Sequence, residues 1–256
     1  HTFVVVIDSA LVEHPNLATL VRDFAVLRSL GIRLVLVAGI RAQLEALATA
    51  RGSTPSDLTG RSPVDAPTRD LCVEAAAQVA HRLQQGLTAH GVACAQTNAV
   101  RGRAVGIVRG QDYLHTGRVD RVDSFLVREL VENGAVPIFT PILLDRHGRA
   151  LRLAADQLDA GLCTTLLASK LLFLVPAAGL LRDGAFVPNL PVEDLEDALM
   201  RRPESLDDET QGRASAAVTA IKGGTPRVHF VDGREPDHLL TEIFSKNGVG
   251  TLVQGN

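Results

Sequence analysis

Three uninterrupted apolar runs, Phe3 to Ile7, Leu34 to Val37 and Leu171 to Val175, constrain this chain more than any other feature. A fourth, Val228 to Val231, is broken only by His229 and exits through Asp232-Gly233. A strand with one face in water alternates apolar and polar residues, whereas a run that is apolar throughout needs cover on both faces. Between the first two runs, Leu17, Leu20, Val21, Phe24, Leu27 and Leu30 recur at helical spacing up to Gly31, and Gln43 to Ala50 continues as helix. Buried strands alternating with helices predict βαβ units. The expected fold class is therefore α/β, a three-layer αβα sandwich with a mostly parallel central sheet.

The remaining elements follow the same logic. Gly52 to Pro67 reads as a loop, Asp70 to His90 as a long amphipathic helix, and residues 92–123 as short strands broken by glycines. The helix carries Leu71, Ala75, Val79 and Leu83 in a stripe suited either to a partner subunit or to the chain's own sheet. Asp123 to Asn133 is helical, Val136 to Leu144 is a strand interrupted by Pro137 and Pro141, and Ala155 to Ser169 is helical. Asp208 to Ile221 is a helix ended by Gly223-Gly224. The closing segment is a strand, a short helix over Leu239 to Ser245 with Asp237 as its cap, and a loop holding Gly248 and Gly250. A boundary near residues 176 to 180 divides an N-terminal lobe, 1–176, from a C-terminal lobe, 177–256.

Bulk properties narrow the function classes. A net charge of −3 gives no electrostatic case for nucleic acid or an anionic membrane. Cys72, Cys94 and Cys163 are odd in number and form no CxxC, as expected of reduced thiols in a cytoplasm. The histidines share no ligand spacing, so no metal site is expected. No Gly-x-Ser-x-Gly elbow occurs.

The order of pieces, and the closing segment above all, resembles the amino-acid kinase family (the acetylglutamate-kinase-like, carbamate-kinase-like fold). The resemblance is to its arginine-sensitive branch of acetylglutamate kinases and bacterial N-acetylglutamate synthases. Asp112-Tyr-Leu-His-Thr-Gly-Arg-Val-Asp-Arg-Val-Asp123 is similar to a run found in the synthases. In that branch the helix glutamate and the glycine loop surround L-arginine. The resemblance thus implies an effector site of Glu242, Gly248, Gly250, His229, Ser245 and Arg213, the last standing where related kinases carry a lysine.

The kinase positions themselves are altered. The phosphate-neutralising lysine of active members is matched by Val6, and its two glycines by Asp8 and Ser9. Gly39 survives in the second phosphate loop, but Ile40 and Arg41 replace glycines. The substrate arginine is missing from Ser62-Pro-Val-Asp65, with Arg61 one position away. Of the motif before the next helix, Ala155 and Asp156 remain, and Asp156 is expected to be that helix's N-cap. The implied function is an arginine-sensing regulatory domain with no catalytic residues, no cofactor of its own, and a tendency to form a homo-oligomer. An acetyltransferase domain in cis would carry acetyl-CoA and is expected to lie outside residues 1–256. An active amino-acid kinase and a ligand-free oligomerisation domain remain alternatives.

Overall fold

The structure, a computed structural model, describes residues 1–255, with the side chains of Arg182 and Asp208 outside that description. In chain order it runs β1 (Thr2–Ile7), α1 (Ser9–Val12), α2 (Leu17–Ser29), β2 (Arg33–Ala38), α3 (Arg41–Ala50) and α4 (Ala66–Ala89). Next come β3 (Cys94–Gln96), β4 (Val100–Ala104), β5 (Ile107–Val108), β6 (Gln111–Asp112), β7 (Gly117–Val122) and α5 (Ser124–Glu132). Then follow β8 (Val136–Phe139), β9 (Ile142–Leu144), β10 (Ala150–Arg152), α6 (Ala155–Leu166), β11 (Lys170–Val175), β12 (Leu181–Arg182), β13 (Ala185–Phe186) and β14 (Asn189–Pro191). The chain closes with α7 (Val192–Arg201), α8 (Asp208–Lys222), β15 (Arg227–Asp232), α9 (His238–Phe244) and β16 (Thr251–Gln254).

The apolar runs do what their composition demands. They lie side by side in an eight-stranded sheet of order β14-β16-β15-β11-β1-β2-β8-β3. Neighbours are parallel except β15 and β16, which pair antiparallel. Alternate residues enter two cores. Val4, Val6, Val35, Val37, Phe173, Val228 and Phe230 face α5, α6, α7 and α8. Phe3, Val5, Ile7, Leu34, Leu36, Leu172, Leu174 and Val231 face α1 to α4 and α9. The three-layer expectation therefore holds. Residues on either side of 176 share this one sheet and both cores.

Local corrections have local causes. α4 begins four residues before the expected start, because Asp65 accepts from the Thr68 amide at 2.8 Å and Pro67 sits in the first turn, where no amide is needed. Leu71, Ala75, Val79 and Leu83 pack in the chain's own core, so that stripe is not free for a partner. Pro137 does not interrupt β8, and the break falls at Thr140-Pro141 instead. Asp237 does not cap α9: it is left-handed (φ 62°), and its carboxylate accepts from Arg22 at 3.3 Å.

Phe173 and Phe230 stack across β11 and β15 with ring centroids 4.9 Å apart. Phe173→Ala empties a site with no solvent access, and such truncations cost about 3–5 kcal/mol. Chemical denaturation should show a loss of that size, concentrated in the midpoint rather than the slope.

Candidate functional site

Two polar constructions interrupt the apolar sheet. The first is at the carboxyl ends of β1 and β2, the end at which open parallel sheets bind ligands. The loop leaving β1 and the loop leaving β2 are fastened together. Gly39 donates to the Ile7 carbonyl at 2.9 Å, Ala42 donates to Ser9 Oγ at 3.1 Å, and Gln43 donates to the Ser9 carbonyl at 3.1 Å. A Cβ at Gly39 would come within 3.2 Å of the Ser9 nitrogen, so a larger residue would push these loops apart.

Asp8 caps α1 by accepting from Ala10 at 2.8 Å and forms an ion pair with Arg213 of α8. Arg213 also reaches Glu209 at 3.2 Å, Glu209 meets Arg41 at 3.1 Å, and Arg41 meets Glu45 at 2.9 Å. Five alternating charges thus run across the cleft mouth. Arg213, expected beside Glu242, belongs to this chain instead. Its helix starts at the strand ends, and the facing Asp8 carboxylate attracts it.

Asp156 is also corrected. Ala154 holds the N-cap position of α6 without a side-chain bond, while Asp156 sits in the first turn, where a carboxylate meets the positive end of the helix. It pairs with Arg61 at 3.1 Å, so this arginine has an internal partner. Val6 and Val37 help line a cavity of about 120 Å³ here, together with Asp156, Asp159, Arg61 and Arg152.

Asp159 and Arg152 are functional candidates that sequence reasoning missed. Asp159 follows Asp156 by three residues, the spacing that puts two helix side chains on one face. Arg152 is an arginine inside the apolar run Leu151 to Leu153. Both are buried. Burial pushes the Asp159 carboxyl well above the ordinary carboxylate value; Asp156 adds to this and Arg213 opposes it. Burial lowers the Arg152 guanidinium, which donates to the carbonyls of Leu153 at 2.6 Å and Leu58 at 3.1 Å.

The second construction is the closing segment. Helical spacing turns Leu240, Ile243 and Phe244 toward the core and Glu242 away from it; Leu240 and Ile243 do pack there, half-buried, but Phe244 is exposed and Glu242 is buried with Leu239. The buried Glu242 is fully engaged. His229 Nδ1 lies 2.6 Å from Oε1, and the Val249 and Gly250 amides donate to Oε2 at 2.7 and 2.8 Å.

Lys170 Nζ lies 3.1 Å from His229 Nε2. An ammonium has only donors, so Nε2 accepts and Nδ1 carries the proton given toward Glu242. Burial lowers the His229 value below its ordinary 6.5, although Glu242 pulls the other way. Burial alone would raise the Glu242 carboxyl, but the bonds from His229, Gly250 and Val249 outweigh it and hold it down.

The glycines are required by space. A Cβ at Gly248 would lie 2.4 Å from Glu242 Oε2, and one at Gly250 would lie 2.1 Å from the Phe230 carbonyl. The Val249 and Gly250 amides are thus spent on Glu242, and exposed Ser245 donates to the Asn247 carbonyl at 3.0 Å. Among the described residues, no group of three or more His, Cys, Asp or Glu is placed to hold a metal ion, and no helix is long and apolar enough to cross a membrane.

The structure is thus an α/β fold whose mostly parallel sheet is covered on both faces, with two fastened loops at its ligand-binding end. A model of the amino acid kinase family matches residues 1–232, and the chain belongs to that family.

An amino-acid acetyltransferase of Pseudomonas putida (strain GB-1) is 35% identical over 98% of this chain, which spans 60% of the length of that relative. The N-acetylglutamate synthase of Neisseria gonorrhoeae, solved with coenzyme A and N-acetyl-glutamate, matches at 30% identity and a TM-score of 0.90. That match covers all of this chain and 59% of the synthase. The same synthase solved with coenzyme A and L-arginine matches at 28% identity and a TM-score of 0.88, over 100% of this chain and 61% of that one.

His229 and Glu242 make the segment acid-sensitive in one direction. Both folded values are depressed, so the unfolded chain binds more protons below 6.5 for the histidine and below 4.5 for the glutamate. Their stabilisation is present above those values and is lost as pH falls through the folded ones. In thermal unfolding against pH, Glu242→Gln should show a shallower acid-side decline than wild type. An identical slope would mean that Glu242 carries no such linkage.

Proposed function

We propose that this chain is an arginine-responsive regulatory domain of an N-acetylglutamate synthase, silent as a kinase. The observation that carries the reading is the line from half-buried Lys170 through buried His229 and Glu242, closed by the Gly250 loop. It occurs in a chain whose full length matches a synthase solved with L-arginine. A guanidinium is planar, permanently charged and best met by a carboxylate. Glu242 is the acid of that segment. Three of a carboxylate's roughly four acceptor positions are already taken here. Two-pronged binding of arginine thus requires the Val249–Gly250 amides to yield, and loop movement is the expected response. Acetyl-CoA and glutamate chemistry is assigned to an acetyltransferase domain in cis, and the assembly to a homo-oligomer in the cytoplasm.

Calorimetry with L-arginine tests the effector site. Glu242→Gln preserves shape and removes charge. Losing one member of a buried charge-assisted pair costs about 2–5 kcal/mol, so affinity should fall well over tenfold. Equal affinities would place arginine elsewhere.

Kinase silence is supported by apolar Val6 at the lysine position and by the Asp8 carboxylate, already tied to Arg213, in place of a phosphate-cradling glycine. Val6→Lys alone is expected to leave magnesium-ATP turnover at background, because the Asp8–Arg213 pair still occupies the mouth. Turnover restored by that one change would refute the reading.

A further inference from the structure

We propose that the cavity between α6 and the carboxyl ends of β1 and β2 binds a small aliphatic primary ammonium compound, seated on Asp156 and Asp159. This ligand and this site are separate from arginine and Glu242. Three independent features meet there.

The first is a partnerless buried acid. Asp159 lines the cavity, is 1% exposed, and its Oδ1 has no hydrogen-bond partner among the described residues. Oδ1 of Asp156 is likewise buried and unpartnered, the other oxygen being held by Arg61. Two free carboxylate oxygens one helical turn apart offer acceptors to one group with several donors, which an ammonium is. Buried polar atoms are almost always satisfied, and unpaired ones call for an occupant or a cost.

The second is the lining. Val6, Val37, Ile40, Leu58 and Pro141 present an apolar wall suited to a short alkyl body. A volume near 120 Å³ is smaller than the roughly 150 Å³ that accepts a benzene ring, so the occupant has about five or six heavy atoms.

The third is that every cation of the lining is already engaged elsewhere. Arg41 meets Glu45 and Glu209, Arg61 meets Asp156, and Arg213 meets Asp8 and Glu209. Buried Arg152 donates to the carbonyls of Leu153 and Leu58. None of them bonds to Asp159 Oδ1, which is left for a donor from outside the chain.

The groups facing Asp159 set the proton balance. They are Asp156 on its own helix, Arg61 and Arg152 around the cavity, and the Asp8–Arg213–Glu209–Arg41 chain at the mouth. Burial raises Asp159, and a docked ammonium pulls it the other way, toward the carboxylate. Affinity is therefore expected to fall as pH is lowered.

The probes are n-propylammonium and putrescine, titrated by calorimetry into the full chain in buffers of different ionisation enthalpy, with propan-1-ol and propionate as controls. Saturable heat from n-propylammonium, with proton release and none from the controls, is expected. Asp159→Asn should lose tenfold or more in affinity, and Val37→Phe, which fills the cavity, should lose binding as well. The proposal is overturned if no amine binds, if propan-1-ol binds as well as the ammonium, or if folded Asp159→Asn binds as tightly as wild type. Should Asp159→Asn fail to fold, proton release by the wild type and the Val37→Phe result decide alone.

Discussion

Everything in this molecule depends on keeping one parallel sheet dry on both faces. β1, β2, β11 and β15 can be apolar at nearly every position because helices cover each side, and the period-two alternation of a strand divides their side chains between two cores. The close packing of α6 against α8 follows from small residues. Ala214, Ala217 and Ala220 are buried on α8, and a Cβ at Gly223 would meet Thr164 Oγ1 at 2.4 Å. A sheet so enclosed leaves its ends as the places where polar groups can stand. Both functional constructions are found at such ends, or on strands near the edge.

At the carboxyl ends of β1 and β2, an acid of the chain meets a cation of the chain. An active phosphate loop needs a cation and bare amides facing an anion. Here Asp8 supplies the anion from within the chain, and Arg213 answers it from α8. Both are largely buried, and such a pair stabilises only when each partner stays matched, so removing either leaves an uncompensated charge. The mouth is consequently a structural joint between the end of the first strand and α8.

The fold was legible in the sequence because it rests on periodicity. Continuous apolar strands and helically spaced leucines are local signals, and they gave the layers and the order of the elements. The sites were less legible because ion pairing is not local. Nothing near Arg213 in sequence reveals that Asp8, 205 positions away, is its partner. Nor does helical spacing predict that Glu242 turns inward while Phe244 turns out. That choice is made by His229 and the Gly250 amide, which together repay burial of a carboxylate. Asp159 escaped notice because its significance lies in the absence of a partner, a property that sequence does not record.

The two constructions lie toward opposite ends of the sheet, and α8 spans the distance between them. Its first two turns carry Glu209 and Arg213 into the cleft mouth. Fifteen residues at about 1.5 Å each carry it some 22 Å to Gly223-Gly224, from which the chain turns into β15 and, within five residues, His229. Spatial continuity of this kind is not itself coupling, which requires an element with two arrangements that both sites bias. At one end the Val249–Gly250 loop is tied to Glu242 through its two amides. At the other end, the Asp8–Arg213 pair would have to shift for α8 to move. A rigid helix clamped by a buried ion pair at one terminus and a tight glycine contact at the other resists sliding.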